Sequence, residues 1–151
     1  MKKVLIVGKR GFIGNNLAKY LKRFYNLEHI SFKDLGKIKS QLNNFDFIVN
    51  TSTNKNYINK KYNQKFDNDY KIANLITSKT IIYIFLSTRK VYPSKKNLNE
   101  NNKFLPKSNY SKNKLISEKK LTKIMRKNLT ILRISNIIGE RNLTNKIHHT
   151  F

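Results

Sequence analysis

Tyr110 and Lys114 stand four residues apart in a stretch with helical periodicity, so one helix face carries both a phenol and an ammonium. A free tyrosine ionises near pH ~10, too high for a base at neutrality. A neighbouring ammonium favours the phenolate and lowers that value, and the pair can then exchange a proton with a hydroxyl or a carbonyl. Upstream, Ser87 and Thr88 follow Ile81–Leu86, the strongest apolar run in the chain. The Thr88 hydroxyl is placed to hold the same reacting oxygen. Glu118, one further turn along the helix, is expected to pair with Lys114 and fix its direction. Tyr-x-x-x-Lys also occurs at Tyr57/Lys61 and Tyr92/Lys96. The first follows no hydroxyl-tipped strand, and Pro93 spoils the helical geometry of the second. Location selects Tyr110.

A second group of residues sits at the other end of the chain. The apolar run Val4–Val7 gives way to Gly8, Gly11 and Gly14, and a helical pattern follows. A buried strand, a tight turn and a helix N-terminus read this way. Gly8 permits the turn, Gly11 permits close approach of a diphosphate, and Gly14 permits the helix to pack on the sheet. The N–H groups of the first helical turn, at Phe12 and Ile13, would meet the anion beside Arg10. Such a turn also occurs for purely structural reasons, so the rest of the chain has to decide.

The intervening sequence supplies the elements that would bring the two groups together. Phe12, Ile13, Leu17, Leu21 and Phe24 predict a helix running to about Tyr25, and Glu28–Phe32 a second strand. In a dinucleotide fold the end of that strand reads the adenosine ribose, an acid suiting NAD and a base suiting NADP. The position falls on Lys33 or Asp34, one of each, and the choice stays open. Leu35–Asn43 predicts a short helix, Phe45–Val49 a third strand, and Tyr57–Gln64 a polar connection. A helix over Phe66–Ser78, a long helix from Ser108 to about Arg126 and a fifth strand over Leu129–Ile134 complete the series. This alternation predicts an α/β fold, a Rossmann-like doubly wound parallel sheet of about five strands with helices on both faces. Residues 1–142 form that domain, and 143–151 a tail, including His148 and His149.

Composition narrows the functional classes. The chain has 151 residues, with 32 Lys+Arg against 8 Asp+Glu and a net charge of +24. The lysines are dispersed through every segment and lack an aromatic-interleaved stripe, so a nucleic-acid partner is not expected. Cysteine is absent and the three histidines form no ligand pattern, so no metal site is expected. The apolar run after Met1-Lys2-Lys3 is too short for a signal peptide, and nothing approaches a membrane span. A cytoplasmic chain is the expectation.

These motifs, in this order, resemble the N-terminal, cofactor-binding part of the extended short-chain dehydrogenase/reductases, the NAD-dependent epimerase/dehydratase family acting on nucleotide sugars. The likeness covers about residues 2–142. Gly8, Gly11 and Gly14 match the family's glycine turn, and Asp46-x-Ile48-Val49 its third strand. Asn68 and Asn74 match the asparagines of its next helix, and Leu86-Ser87-Thr88-x-x-Val91-Tyr92 its hydroxyl-bearing strand end. Tyr110, Lys114 and Leu132-Arg133-x-x-Asn136 follow in register. The resemblance implies NAD or NADP as cofactor and a nucleotide sugar as substrate. It implies Thr88, Tyr110 and Lys114 as catalytic residues, with Lys114 also a ribose ligand. Thr51, Ser52, Lys55, Asn68 and Ser87 would line the cofactor, and Asn136 with Thr88 would face the sugar. It further implies a homodimer through the Tyr110 helix.

The departures are informative. Arg89-Lys90 replaces the Asp-Glu of the sugar 4,6-dehydratases, which disfavours that chemistry. The stretch before Asp46 is too short for the family's extra β-α unit, so a strand order of 2-1-3-4-5 is expected. The family continues past this point into a sugar-binding domain, whereas this chain stops at Phe151. Three functions follow: an epimerase, reductase or dehydrogenase represented by its cofactor domain, an NAD(P)-binding module without turnover, and, third, a basic nucleic-acid-binding protein.

Overall fold

The structure is a computed structural model that describes residues 1–140 and 147–150. Five strands, β1 (Lys3–Val7), β2 (Asn26–Ile30), β3 (Phe47–Asn50), β4 (Ile82–Thr88) and β5 (Leu129–Ile134), form one sheet in the order 2-1-3-4-5. Every pairing in it is parallel. The crossovers carry α1 (Phe12–Leu21), α2 (Lys55–Asn59), α3 (Asn68–Ala73) and α4 (Asn109–Met125). A 3₁₀ segment over Phe32–Asn44 links β2 to β3. The expected fold and strand order are therefore both present.

Side-chain alternation along the strands divides the core. Leu5, Val7, Ile48, Tyr83 and Phe85 point to one face, where Leu42, Ile72, Leu121 and Met125 of the connecting segments cover them. Val4, Ile6 and Val49 point to the other, against Leu17, Ala18 and Leu21 of α1. The residues of β1 beyond Lys3 are almost wholly buried, as a strand with neighbours on both edges requires. Each such side chain contributes about 1.5–3 kcal/mol relative to exposure. The two faces are unequal: among the described residues α1 is the only helix against the second, and Leu132 of β5 stays 46% exposed there.

Several boundaries differ from the sequence reading, each for a local reason. Helix α1 ends at Leu21 rather than near Tyr25, because Tyr25 turns back to meet Phe47 edge-on and Asn26 already donates to Lys2. The strand after it accordingly starts and stops two residues early. Helix α3 ends at Ala73 rather than Ser78: the Asn74 amide donates to the Tyr70 carbonyl, and Thr77 and Ser78 donate to Asn43 instead of continuing the ladder. The polar connection contains a short helix, α2, started by Asn54, whose side chain accepts from Asn56. A hairpin of β6 (Ile137–Glu140) and β7 (Ile147–Thr150) was not expected. The expected domain limit at 142 falls between these paired strands, in residues outside the described set, and His148 and His149 lie in β7.

Candidate functional site

The C-terminal ends of β1, β3 and β4 open onto one crevice. At Gly8 the backbone adopts φ +130°, a region closed to most side chains. A Cβ on Gly14 would stand 2.5 Å from the Gly8 carbonyl and 2.6 Å from Thr51 Oγ1. Thr51 fills that space because its N–H and its hydroxyl both donate to the Val7 carbonyl, at 2.7 and 3.0 Å. The chain itself therefore demands glycine at 8 and 14. Gly11 is different. Its φ of −85° and ψ of 149° suit any residue, and a Cβ there would meet nothing nearer than 3.4 Å. No side chain caps α1, and no acid lies in its first turn. The cradle that a Cβ at Gly11 would enter is thus open, electropositive and faced by helix N–H groups, which fits a dinucleotide diphosphate.

From this cradle the crevice runs in two directions that share Thr51 and Thr53. One arm, of about 510 Å³, is lined by Gly8, Arg10, Gly11, Lys33, Ser52 and Asn68. The other, of about 120 Å³, is lined by Ile13, Ser87, Thr88, Tyr110 and Lys114 among others. The glycine turn and the Tyr110 pair, far apart in sequence, thus border one cleft. Its floor is pre-set: Ser52 donates from N–H and Oγ to Asn50 Oδ1, at 2.9 and 2.6 Å, and the Asn68 amide donates to Ser52 Oγ at 3.0 Å. Phe12 opens α1 beside it. Lys55 and Asn136 are exposed and do not line either arm, whereas Ser135 does. Asp34 lies outside the lining too: its carboxylate accepts from Ser31 at 2.6 Å and pairs with Lys37 at 2.8 Å.

Around Tyr110 the electrostatics depart from the sequence reading. Lys114 Nζ lies 5.9 Å from the Tyr110 ring centroid and 4.4 Å from that of Phe85. Its carboxylate partner is Asp69 Oδ2, at 3.8 Å, with both side chains at most 7% exposed. Glu118, the expected partner, instead grips Arg133 through two bonds of 2.8 and 3.1 Å and accepts the Ser87 hydroxyl at 2.5 Å. The i,i+4 reading failed because α4 packs against β4 and β5, and Arg133 reaches Glu118 from the strand side. Burial pushes the Tyr110 phenol up, and the Asp69 charge adds to the effect. Burial likewise lowers Lys114 and raises Asp69, the latter to about 6, so desolvation outweighs the pair's mutual attraction on both sides. Burial thus opposes the lowering of Tyr110 expected from Lys114. Asp69 carried no local signal, and Arg133 stood in a family motif that did not point to Glu118; both pairings arise from β4 and β5 lying against α3 and α4. Among the described residues, no cluster of His, Asp or Glu is arranged to hold a metal ion, and no helix is long and apolar enough to cross a membrane.

The model of the NAD dependent epimerase/dehydratase family matches residues 4–151. No curated protein matches the sequence. Among solved structures, dTDP-4-dehydrorhamnose reductase from Yersinia enterocolitica superposes with a TM-score of 0.67 at 21% identity, over 89% of this chain and 53% of that one. UDP-glucuronic acid 4-epimerase from Bacillus cereus, in complex with NAD, gives 0.67 at 20% identity, over 93% and 58%. UDP-N-acetylglucosamine 4-epimerase from Bacillus cereus gives 0.71 at 20% identity, over 97% and 63%. These likenesses establish the fold. The chain spans 53–63% of the length of these three proteins.

Proposed function

The chain belongs to the NAD dependent epimerase/dehydratase family, and from that premise we propose that its crevice binds a nicotinamide dinucleotide and directs proton transfer at a nucleotide-linked sugar. The observation that carries this reading is the single cleft bordered by the Gly11 cradle at one end and by Tyr110 and Lys114 at the other. The cradle and the first turn of α1 would hold the diphosphate, and Ser52 and Asn68 the adjoining ribose side. Bound there, the nicotinamide would supply or accept a hydride. Tyr110 gives or takes the proton at the sugar oxygen, Thr88 holds that oxygen, and Lys114 orients the cofactor ribose. With its phenol held up by burial, Tyr110 is protonated at neutral pH and is ready as an acid.

A nucleotide sugar suits this cleft because its diphosphate would meet a strongly cationic chain. We place the reaction in the cytoplasm, in the supply of sugars for polysaccharides. The second reading is a dinucleotide-binding module without turnover, which needs only the Gly11 cradle and the arm that runs from it. Titration with NAD and NADP in parallel, read as thermal stabilisation, tests the shared part of both readings. Turnover of UDP- or dTDP-linked sugars by the 151-residue protein, lost in Tyr110→Phe, separates them. Absence of any stabilisation by either dinucleotide would remove both.

A further inference from the structure

Lys114 presents a physical problem that the proposed reaction does not address. Its ammonium is buried among the rings of Phe85, Tyr57 and Tyr110, at 4.4, 5.7 and 5.9 Å. An ammonium stripped of water tends to give up its proton, and a neutral lysine would have no field to exert on a phenol. Ring faces attract a cation but do not replace its hydration.

Every charged group packed around it can be placed. From α4 itself come Glu118 and Tyr110, from α2 Tyr57, from β4 Tyr83, and from the start of α3 Asp67 and Asp69. Glu118 is occupied by Arg133 and Ser87. Asp67 accepts from Ser117 at 2.6 Å, from Tyr62 at 3.0 Å and from the Tyr70 N–H at 3.0 Å. Asp69 differs from both. The Tyr83 hydroxyl anchors its Oδ1 at 2.9 Å, while its Oδ2 faces Lys114 Nζ at 3.8 Å. Tyr83 is itself fully buried in the interior strand β4, which anchors the carboxylate on that side.

We propose that Asp69 is a positioning residue of this site: its carboxylate, anchored by Tyr83, keeps the Lys114 ammonium charged and fixed against Phe85, and so sets how readily Tyr110 gives up its proton. The functional part of the inference rests on the reading of Lys114 given above. The pairing itself stands on geometry alone. Asp69 acts through Lys114 and needs no contact with substrate.

The test is a pH titration of ¹³C-lysine-labelled protein by NMR, the Lys114 ε-carbon being identified as the signal missing from Lys114→Met. In Asp69→Asn the Lys114 midpoint should fall by about one pH unit or more. Asp69→Glu, which retains the charge, should restore most of that shift. A folded Asp69→Asn protein with an unmoved Lys114 midpoint overturns the proposal, even if its melting temperature falls, because packing alone would give that result. If Asp69→Asn does not fold, the Asp69 carboxyl carbon is followed in the unaltered protein and in Lys114→Met. Its midpoint should rise by about one unit or more when the ammonium is removed, and a static midpoint overturns the pairing. NADH titration of the unaltered protein keeps the two readings apart. A shifted midpoint without NADH binding supports the pairing and sinks the cofactor reading; an unmoved midpoint with NADH binding does the reverse.

Discussion

The Thr51 hydroxyl occupies the space that a side chain on Gly14 would need, 2.6 Å from where that Cβ would stand. This contact joins the end of β3 to the first turn of α1 and so fixes how the helix meets the sheet. Gly14→Ala should therefore cost about 1–3 kcal/mol, in the range of overpacked cores. Thr51→Ala in the same chain should recover part of that loss and not all of it, because the Gly8 carbonyl lies 2.5 Å from the same point. Urea unfolding of the two single variants and the double variant measures both terms.

The same substitution at Gly11 should behave in the opposite way. A methyl group there meets only ordinary contacts, with the Gly8 carbonyl at 3.4 Å. Gly11→Ala should leave stability within about 0.5 kcal/mol of the parent. It should nevertheless weaken stabilisation by NAD, and Gly11→Asp should abolish it, since the added group enters the open cradle and Asp brings a charge against the diphosphate. Thermal shifts with and without dinucleotide separate the two effects. An undiminished NAD shift in Gly11→Asp would place the diphosphate elsewhere.

The contrast among these glycines shows what the sequence could reveal. Continuous apolar runs and the glycine spacing are local, and they announced the sheet and the glycine cradle, while the strand order followed from the family resemblance and the short stretch before Asp46. Ser52 and Thr88 could be placed at the crevice because they follow strands, and Tyr110 and Lys114 because they share one face at the head of the next helix, while Asn68 came from the family resemblance. The partners of Lys114 and Glu118 could not. Helix periodicity pointed to each other, but sheet packing brought Asp69 to one and Arg133 to the other. Asp34 differs from these: a local, one-turn contact with Lys37 and Ser31 keeps it out of the lining and leaves Lys33 there. Contacts made across layers leave no trace in spacing.

Asp69 should also give the protein an identifiable pH dependence. Its carboxyl is pushed up to about 6 from an ordinary value of 3.8, mainly by burial, so the folded state holds a proton that the unfolded state releases. The stability this contributes is complete below about pH 4 and is lost as pH rises through about 6. Urea midpoints measured from pH 4.5 to 7.5 should therefore fall more steeply in the parent than in Asp69→Asn, which cannot titrate. Equal slopes would mean that Asp69 ionises at its ordinary value.

At the far end of the crevice, Lys33 lines the wall while its neighbour Asp34 is engaged with Lys37 and Ser31. Under the binding mode proposed above, the residue facing the adenosine ribose is thus the cation. An ammonium gains more from a 2′-phosphate than from a 2′-hydroxyl, and at an exposed site the difference is about 1 kcal/mol. Lys33→Ala should accordingly weaken NADP binding by about three- to tenfold and leave NAD binding nearly unchanged. The NADP loss should shrink as salt is raised from about 50 to 500 mM, because an exposed pair is screened within a Debye length. Parallel calorimetric titrations of the parent and Lys33→Ala with each dinucleotide supply the four affinities. An equal loss for both would mean that Lys33 acts on the shared diphosphate, and the 2′ position would then have to be read by Arg10 or Lys71, which line the same arm.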